Sequence, residues 1–529
     1  MARYSIIIKN GAVFDGTGKI PEITDVGIER EEIVKIGNLQ NDKARIVIDA
    51  AGRYVTPGFI DLSTHSDTHW SIFLYPLQES FLRQGVTTIL GGNCGFSLAP
   101  FLGTKPIEEV GAWVNLDSVN IDWQTMEEFL AELENHPLGV NFGTLAGLNT
   151  IFHSAKGNGS KEAEMSTIEY LVRKSIEEGA FGVSMNMSLD DMQNFTSEDA
   201  IHIAKIVASK NGLLKHHLKN EGREILPSVS KTTTLARESG ARSHITHFRS
   251  LGKSSWGSFS PAIEIIRRGR EEGVKISCDF YPYTNTDSEL LFILPSWARK
   301  KTRPELHEIL SSKENNERKK IIKHIEDLTL HYDEIFISSG RKEYSLLGKN
   351  LIQASKELDL SPEETIIRLL LAEKFSTRIF NEAVTRENIN KIINQPFACF
   401  ASDGVGYDRV NYPVSSDKSD MPHPRSFGCY PYTLSKIVRD QGIMSWEEAI
   451  RKMTSMPASI MGLKDRGILK QGMKADVVVI NPLVLKAEPN YQEPFQNPSG
   501  IEHVIVNGVL AIEDGRLTGA YPGTVLRKE

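Results

Sequence analysis

The stretch Val55–Trp70, VTPGFIDLSTHSDTHW, is an apolar run that ends in a group of polar side chains. Residues i and i+2 of a strand share a face, so Ser63 and His65 point the same way at the end of this run. A metal-binding strand end would carry histidine at both places. Here the first is serine, so one ligand is missing. Whether a reactive centre survives depends on what the other strand ends contribute.

Downstream the pattern alternates between strand and helix. GVTTILGGNCG is a strand that ends in glycines, and TSEDAIHIAKIVASKNG is a helix capped by Thr196 with Asp199. LLKHHLK is a strand, and a helix follows through REILPSVSKTTTLARESG; ARSHITHF and VKISCDFYPY are further strands. SPEETIIRLLLAEKF reads as another helix, with Ser361 as cap, Pro362 in the first turn and Glu364 closing the box. Repeated βα units over about 400 residues predict an α/β protein of the (β/α)8 TIM-like barrel class. A doubly wound sheet is the runner-up, but no glycine-rich phosphate loop opens any of these helices.

Both chain ends are β-rich with short spacing: YSIIIKNGAVFDG and DVGIEREEIVKIG at the start, GMKADVVVINP and IEHVIVNGVLAIEDG at the finish. Each is too small to fold alone, so they are expected to join in one small β-sandwich built from residues 1–57 and 463–529. Residues 58–462 then form the barrel. A charged helical segment, about 284–348, interrupts it as an insertion that is either a solvated appendage or an overhang of the active face.

Composition sets the outer bounds. The chain has 529 residues, 24% charged and 40% hydrophobic, with a formal net charge of -7, so no basic surface points to nucleic acid or an anionic membrane. No apolar run approaches the roughly 18 residues a bilayer requires, and the N-terminus has no signal-peptide core. Cys94, Cys278, Cys399 and Cys429 are too widely spaced for a disulfide framework. A cytoplasmic, soluble enzyme is expected, and an oligomer is compatible with these numbers.

Five groups with metal-ligating or acid/base chemistry fall at strand ends: His65, Cys94, His217, His247 and Asp403. A lone buried histidine is ordinarily a hydrogen-bonded core residue, and a lone buried cysteine a small hydrophobe. Five together at successive strand ends favour a metal site. Thiolate and imidazole suit Zn2+, and Cys94, His217 and His247 supply the three ligands of a catalytic zinc with one position left open. Asp403 would then stand beside the activated water as its proton acceptor.

The segments VTPGFIDLSTHSD, GVTTILGGNCGFSLAP, SHITHFRSLG, CDFYPYT, ASDGVG, HPRSFG and LKDRGILKQGMKADVVVINP resemble, in order over essentially the whole chain, the N-acyl-D-amino-acid deacylase (D-aminoacylase) branch of the amidohydrolase superfamily. GNCGFSLAP is the most specific of them. The resemblance implies zinc-dependent hydrolysis of the amide bond of N-acyl-D-amino acids, a small-molecule substrate. It puts Cys94, His217 and His247 on the tightly held zinc, His65 on the second histidine of His-x-His, Asp403 on the catalytic aspartate and Ser63 on the first histidine. Arg249 and Tyr283 fall where the substrate carboxylate is bound, and Arg425 is a further candidate. FGVSMNMSLDDM departs from the family's pocket loop.

Serine is a poor zinc ligand beside imidazole. One tightly bound zinc is therefore expected, with a second site doubtful; His69 is the one conceivable replacement ligand, and Ser63→His is expected to create weak second-site binding. A cyclic-amide hydrolase of the hydantoinase or dihydroorotase type would want an intact His-x-His and a strand-end lysine in place of Cys94. A non-catalytic amidohydrolase-like scaffold would have no need of these groups together.

Overall fold

A computed structural model describes residues 3–103, 121–156, 160–188, 195–328, 330–340, 342–408, 420–488 and 490–529. Its parallel strands follow one another in chain order. Phe59–Asp61 pairs with Val86–Gly91, and that strand with Asn141–Thr144. Ala146–Gly147, Gly182–Asn186, Leu213–His217, Arg242–Ile245, Ile276–Phe280 and Ala398–Phe400 continue as a parallel series. A parallel bridge between Thr64 and Gly404 then joins the residues after the last strand to those after the first. All these C-terminal strand ends therefore point to one side.

Helices between the strands form where caps and apolar stripes coincide. Thr196 accepts from the Asp199 amide at 3.1 Å while Asp199 accepts from the Thr196 amide at 2.9 Å. The helix Ser197–Ser209 then buries Ile203, Ile206 and Val207 against the sheet. No helix among the described residues is long and apolar enough to cross a membrane.

The two chain ends meet. Tyr54–Pro57 pairs antiparallel with Val477–Ile480, which brings the first five strands and the last four into one nine-stranded sheet. Hydrogen bonds run through all nine strands, and the sheet folds back so that Ile33 meets Met473 and Ile6, Val26, Val55, Val477 and Ile505 share one core. Gly58 separates its strand Tyr54–Pro57 from the first parallel strand Phe59–Asp61.

The insertion is longer than 284–348. It opens with Asn285–Glu289 and closes with Arg378–Glu382, which pair antiparallel with each other, and Phe336–Ile337 adds a third strand. The helix Pro362–Ala372, read above as a barrel helix, packs in the insertion's separate core through Ile366, Leu369 and Leu370. Ser361 caps it as expected, but Glu364 does not close the box, because its carboxylate is taken by Arg318 at 2.5 Å. Local capping signals cannot tell which core a helix joins. The insertion reaches the active end: His423 contacts the Asn285 carbonyl through Nε2 at 3.0 Å.

Candidate metal centre

Three side chains from separate strand ends converge. One ligating atom each of Cys94, His217 and His247 lies within 4.8 Å of the others. Cys94 Sγ is 3.5 Å from His247 Nε2, and that nitrogen is 3.0 Å from His217 Nδ1. The sequence around Cys94 permits this only through its glycines. Gly92 and Gly95 have φ of 70° and 86°, and a Cβ at either would meet the Leu145 carbonyl oxygen at 2.0 Å or the Asn149 side chain at 1.8 Å. Cys94, His247 and Asp403 themselves hold φ of 53°, 36° and 53°. A strained backbone at three inward-turned residues is what a site over-determined by its surroundings tolerates.

Electrostatics suit a cation. Burial alone would push the Cys94 thiol up, but the charge of His247 and hydrogen bonds from His217, His247 and His65 hold it well below the usual thiol range. A thiolate is the form that ligates zinc. His247 Nδ1 bonds to Glu221 Oε1 at 2.8 Å, which fixes the ring and turns Nε2 toward Cys94 and His217. Glu221 resists burial and is pulled down to about 2 by the adjoining Arg249 and His247. A thiolate, two oriented imidazoles and a carboxylate behind one of them form a donor set that fits a tetrahedral zinc.

His65 and Asp403 stand together, with Nε2 of the one 3.2 Å from Oδ1 of the other. Burial works against a charged imidazole, yet the hydrogen bonds with Asp403 and Cys94 lift His65 to about 10. Asp403 is likewise opposed by burial, but Arg425 and His247 hold it well below the usual carboxylate range. His69 is half-buried, with its Nδ1 3.1 Å from the His65 carbonyl oxygen. Its ring centroid lies 6.1 Å from that of His65. It is a neighbour of the pair, not a member of the ligand cluster.

The expected substrate side differs in detail. Arg425 places Nη2 3.1 Å from Asp403 Oδ2, so its first partner is the aspartate. Its Nε is buried without a hydrogen-bond partner among the described residues. Tyr283 is 2% exposed and stacks on Tyr432 at 5.1 Å, which turns it into the core. Tyr281 takes the arginine side instead: Arg249 donates to its hydroxyl, and its ring carries Arg249 at 5.4 Å and Arg425 at 4.7 Å. Both tyrosines sit two residues apart in FYPYT, and only packing separates their roles. Glu221, four residues past His217, was also missed; a carboxylate that close after a strand-end histidine was the available signal. Of the divergent FGVSMNMSLDDM loop, Gly182–Asn186 is strand, and residues 189–194 lie outside the described residues.

Known proteins resemble the chain over most of its length. Residues 380–512 match the amidohydrolase family. An N-acyl-D-aspartate deacylase of Alcaligenes xylosoxydans xylosoxydans is 28% identical, over 99% of this chain and 95% of that protein. A D-aminoacylase from the same organism is 24% identical, over 99% and 98%. The crystal structure of the N-acyl-D-glutamate deacylase of Bordetella bronchiseptica, solved with zinc and a phosphonate mimic of the tetrahedral intermediate, superposes with a TM-score of 0.80. It is 25% identical and covers 99% of this chain and 100% of that one. The chain is thus similar over 99% of its residues to the N-acyl-D-aspartate deacylase and the D-aminoacylase, and it shares the fold of the N-acyl-D-glutamate deacylase.

Proposed function

We propose that this protein hydrolyses the amide bond of N-acyl-D-amino acids to a carboxylate and a free D-amino acid, using one zinc ion. The parallel strands are read as a closed (β/α)8 barrel whose C-terminal face carries the reaction. The observation that carries the proposal is the meeting of Cys94, His217 and His247 beside the His65–Asp403 pair.

Cys94, His217 and His247 would hold the zinc. When bound, the ion supplies Lewis acidity toward a water and the scissile carbonyl. Asp403 is ionised, the state that a proton acceptor requires, and takes the attacking water's proton for delivery to the leaving nitrogen. His65, protonated beside it, offers an N–H to the oxyanion as charge develops. Arg249 and Tyr281 hold the substrate α-carboxylate, since a guanidinium gives two parallel hydrogen bonds to such a group. Arg425, whose guanidinium lies over the Tyr281 ring at 4.7 Å, is a further donor beside that pair. None of the four cysteines is in a disulfide, in keeping with a reducing cytoplasm.

The test is a panel of N-acetyl-D- and N-acetyl-L-amino acids, offered with cyclic amides to the zinc-loaded protein. Release of free D-amino acid is expected; turnover of only the cyclic amides would replace this reading.

A further inference from the structure

Beneath the ligand cluster lies a second, fully buried polar cluster that the reaction does not use. Its centre is Lys215, whose side chain is 1% exposed. The lysine sits two residues before His217 and so on the same inward face of its strand. Its ammonium donates to the Leu62 carbonyl oxygen, to Ser63 Oγ at 2.5 Å and to Asn93 Oδ1 at 2.8 Å, and it lies 3.2 Å from Asp279 Oδ2. All four partners are oxygen acceptors, as an ammonium requires.

Every partner is one step from the centre. Ser63 is two residues before His65, and Asn93 adjoins Cys94. Asp279 Oδ1 accepts from the His247 backbone amide at 2.5 Å. Ser63 is 0% exposed and enclosed: its Oγ meets Thr246 Oγ1 and Asp279 Oδ2, each at 2.7 Å, as well as Lys215. Asp279 also accepts from His244 Nε2 at 2.9 Å. The volume beside Ser63 is therefore filled by a lysine side chain, whose ammonium is paired with the Asp279 carboxylate.

We propose that Lys215 is a built-in cation: its ammonium fills the place at Ser63 that a further metal-ligating side chain would need, and so limits the centre to one ion. The inference rests on the one-zinc reading above. Two effects act together. A larger side chain at position 63 has no room until Lys215 moves. A second metal ion would also find the nearest buried carboxylate, Asp279, already neutralised by that ammonium. The expectation that Ser63→His alone creates a second site is accordingly revised, because that imidazole would be directed into the ammonium.

The test is zinc stoichiometry, measured by elemental analysis and by competition with a chromophoric chelator on stripped and reloaded full-length protein. Wild type, Ser63→His and Lys215→Ala are each expected to hold one equivalent, and Ser63→His with Lys215→Ala two. Two tight equivalents in wild type would overturn the one-zinc reading itself. One equivalent in wild type but two in Ser63→His would overturn the role of Lys215 and leave that reading standing. A double variant that holds one equivalent with unchanged circular dichroism would overturn it as well, since removing a merely structural ion pair does not change stoichiometry. Should the double variant fail to fold, Ser63→His combined with Lys215→Met and Asp279→Asn removes both buried charges at once and is read the same way.

Discussion

His247 Nδ1 lies 2.8 Å from Glu221 Oε1, and the other oxygen of the same carboxylate faces Arg249 at 3.3 Å. One buried acid thus orients a proposed zinc ligand and braces the arginine proposed to hold the substrate. Glu221→Gln is expected to weaken zinc binding by about 10–100-fold, the usual effect of losing a carboxylate behind a ligand histidine. It should also raise KM. Unchanged zinc affinity in a chelator competition would separate Glu221 from the centre.

The same carboxylate predicts a pH dependence of stability in metal-free protein. Its value falls from 4.5 to about 2 on folding, so its contribution is complete above about pH 4.5 and is lost as pH drops toward 2. The difference in melting temperature between wild type and Glu221→Gln should shrink as pH is lowered through that window. A difference that is constant from pH 6 to pH 3 would contradict it.

Cys94→Ala should lose both zinc and turnover. Its thiolate is held ionised by the surrounding histidines, so its loss removes the anionic ligand. Retention of a full zinc equivalent in this variant, by elemental analysis, would show the ligand set to be wrong.

Asp403→Asn should keep its zinc and lose kcat by about 10²–10⁴-fold or more, the range that positioned proton transfer supplies. The amide is isosteric but has a single acceptor oxygen, so it keeps one of the contacts to His65 and Arg425, and a purely structural role would lower melting temperature before turnover. Steady-state rates with matched zinc content decide between the two.

Arg249→Met should raise KM for acylated amino acids far more than for an amide analogue without the α-carboxylate. Tyr281→Phe should do the same more weakly, because it removes only the hydroxyl that Arg249 uses. Tyr283→Phe is expected to leave KM alone and to act, if at all, on melting temperature, given its stacking on Tyr432. An equal loss on both substrates in Arg249→Met would make the arginine structural.

The sequence by itself determined the strand–helix rhythm, the joining of the two ends and the five strand-end groups. These follow from local periodicity, caps and turn residues, which act within a few positions along the chain. GGNCG, for example, announced a tight turn that only glycine permits. What lay outside its reach was which core each helix joins and which side chains meet across the strands. The helix Pro362–Ala372 has the same stripe and cap whichever core receives it, and tertiary contact assigned it to the insertion. Tyr281 and Tyr283 are equivalent in sequence until Tyr432 and Arg249 take opposite claims on them. Ser63 reads from sequence as a lost ligand. Only the fold brings Lys215, 152 positions away, against Ser63, because parallel strands set side by side join residues by layer and not by order along the chain.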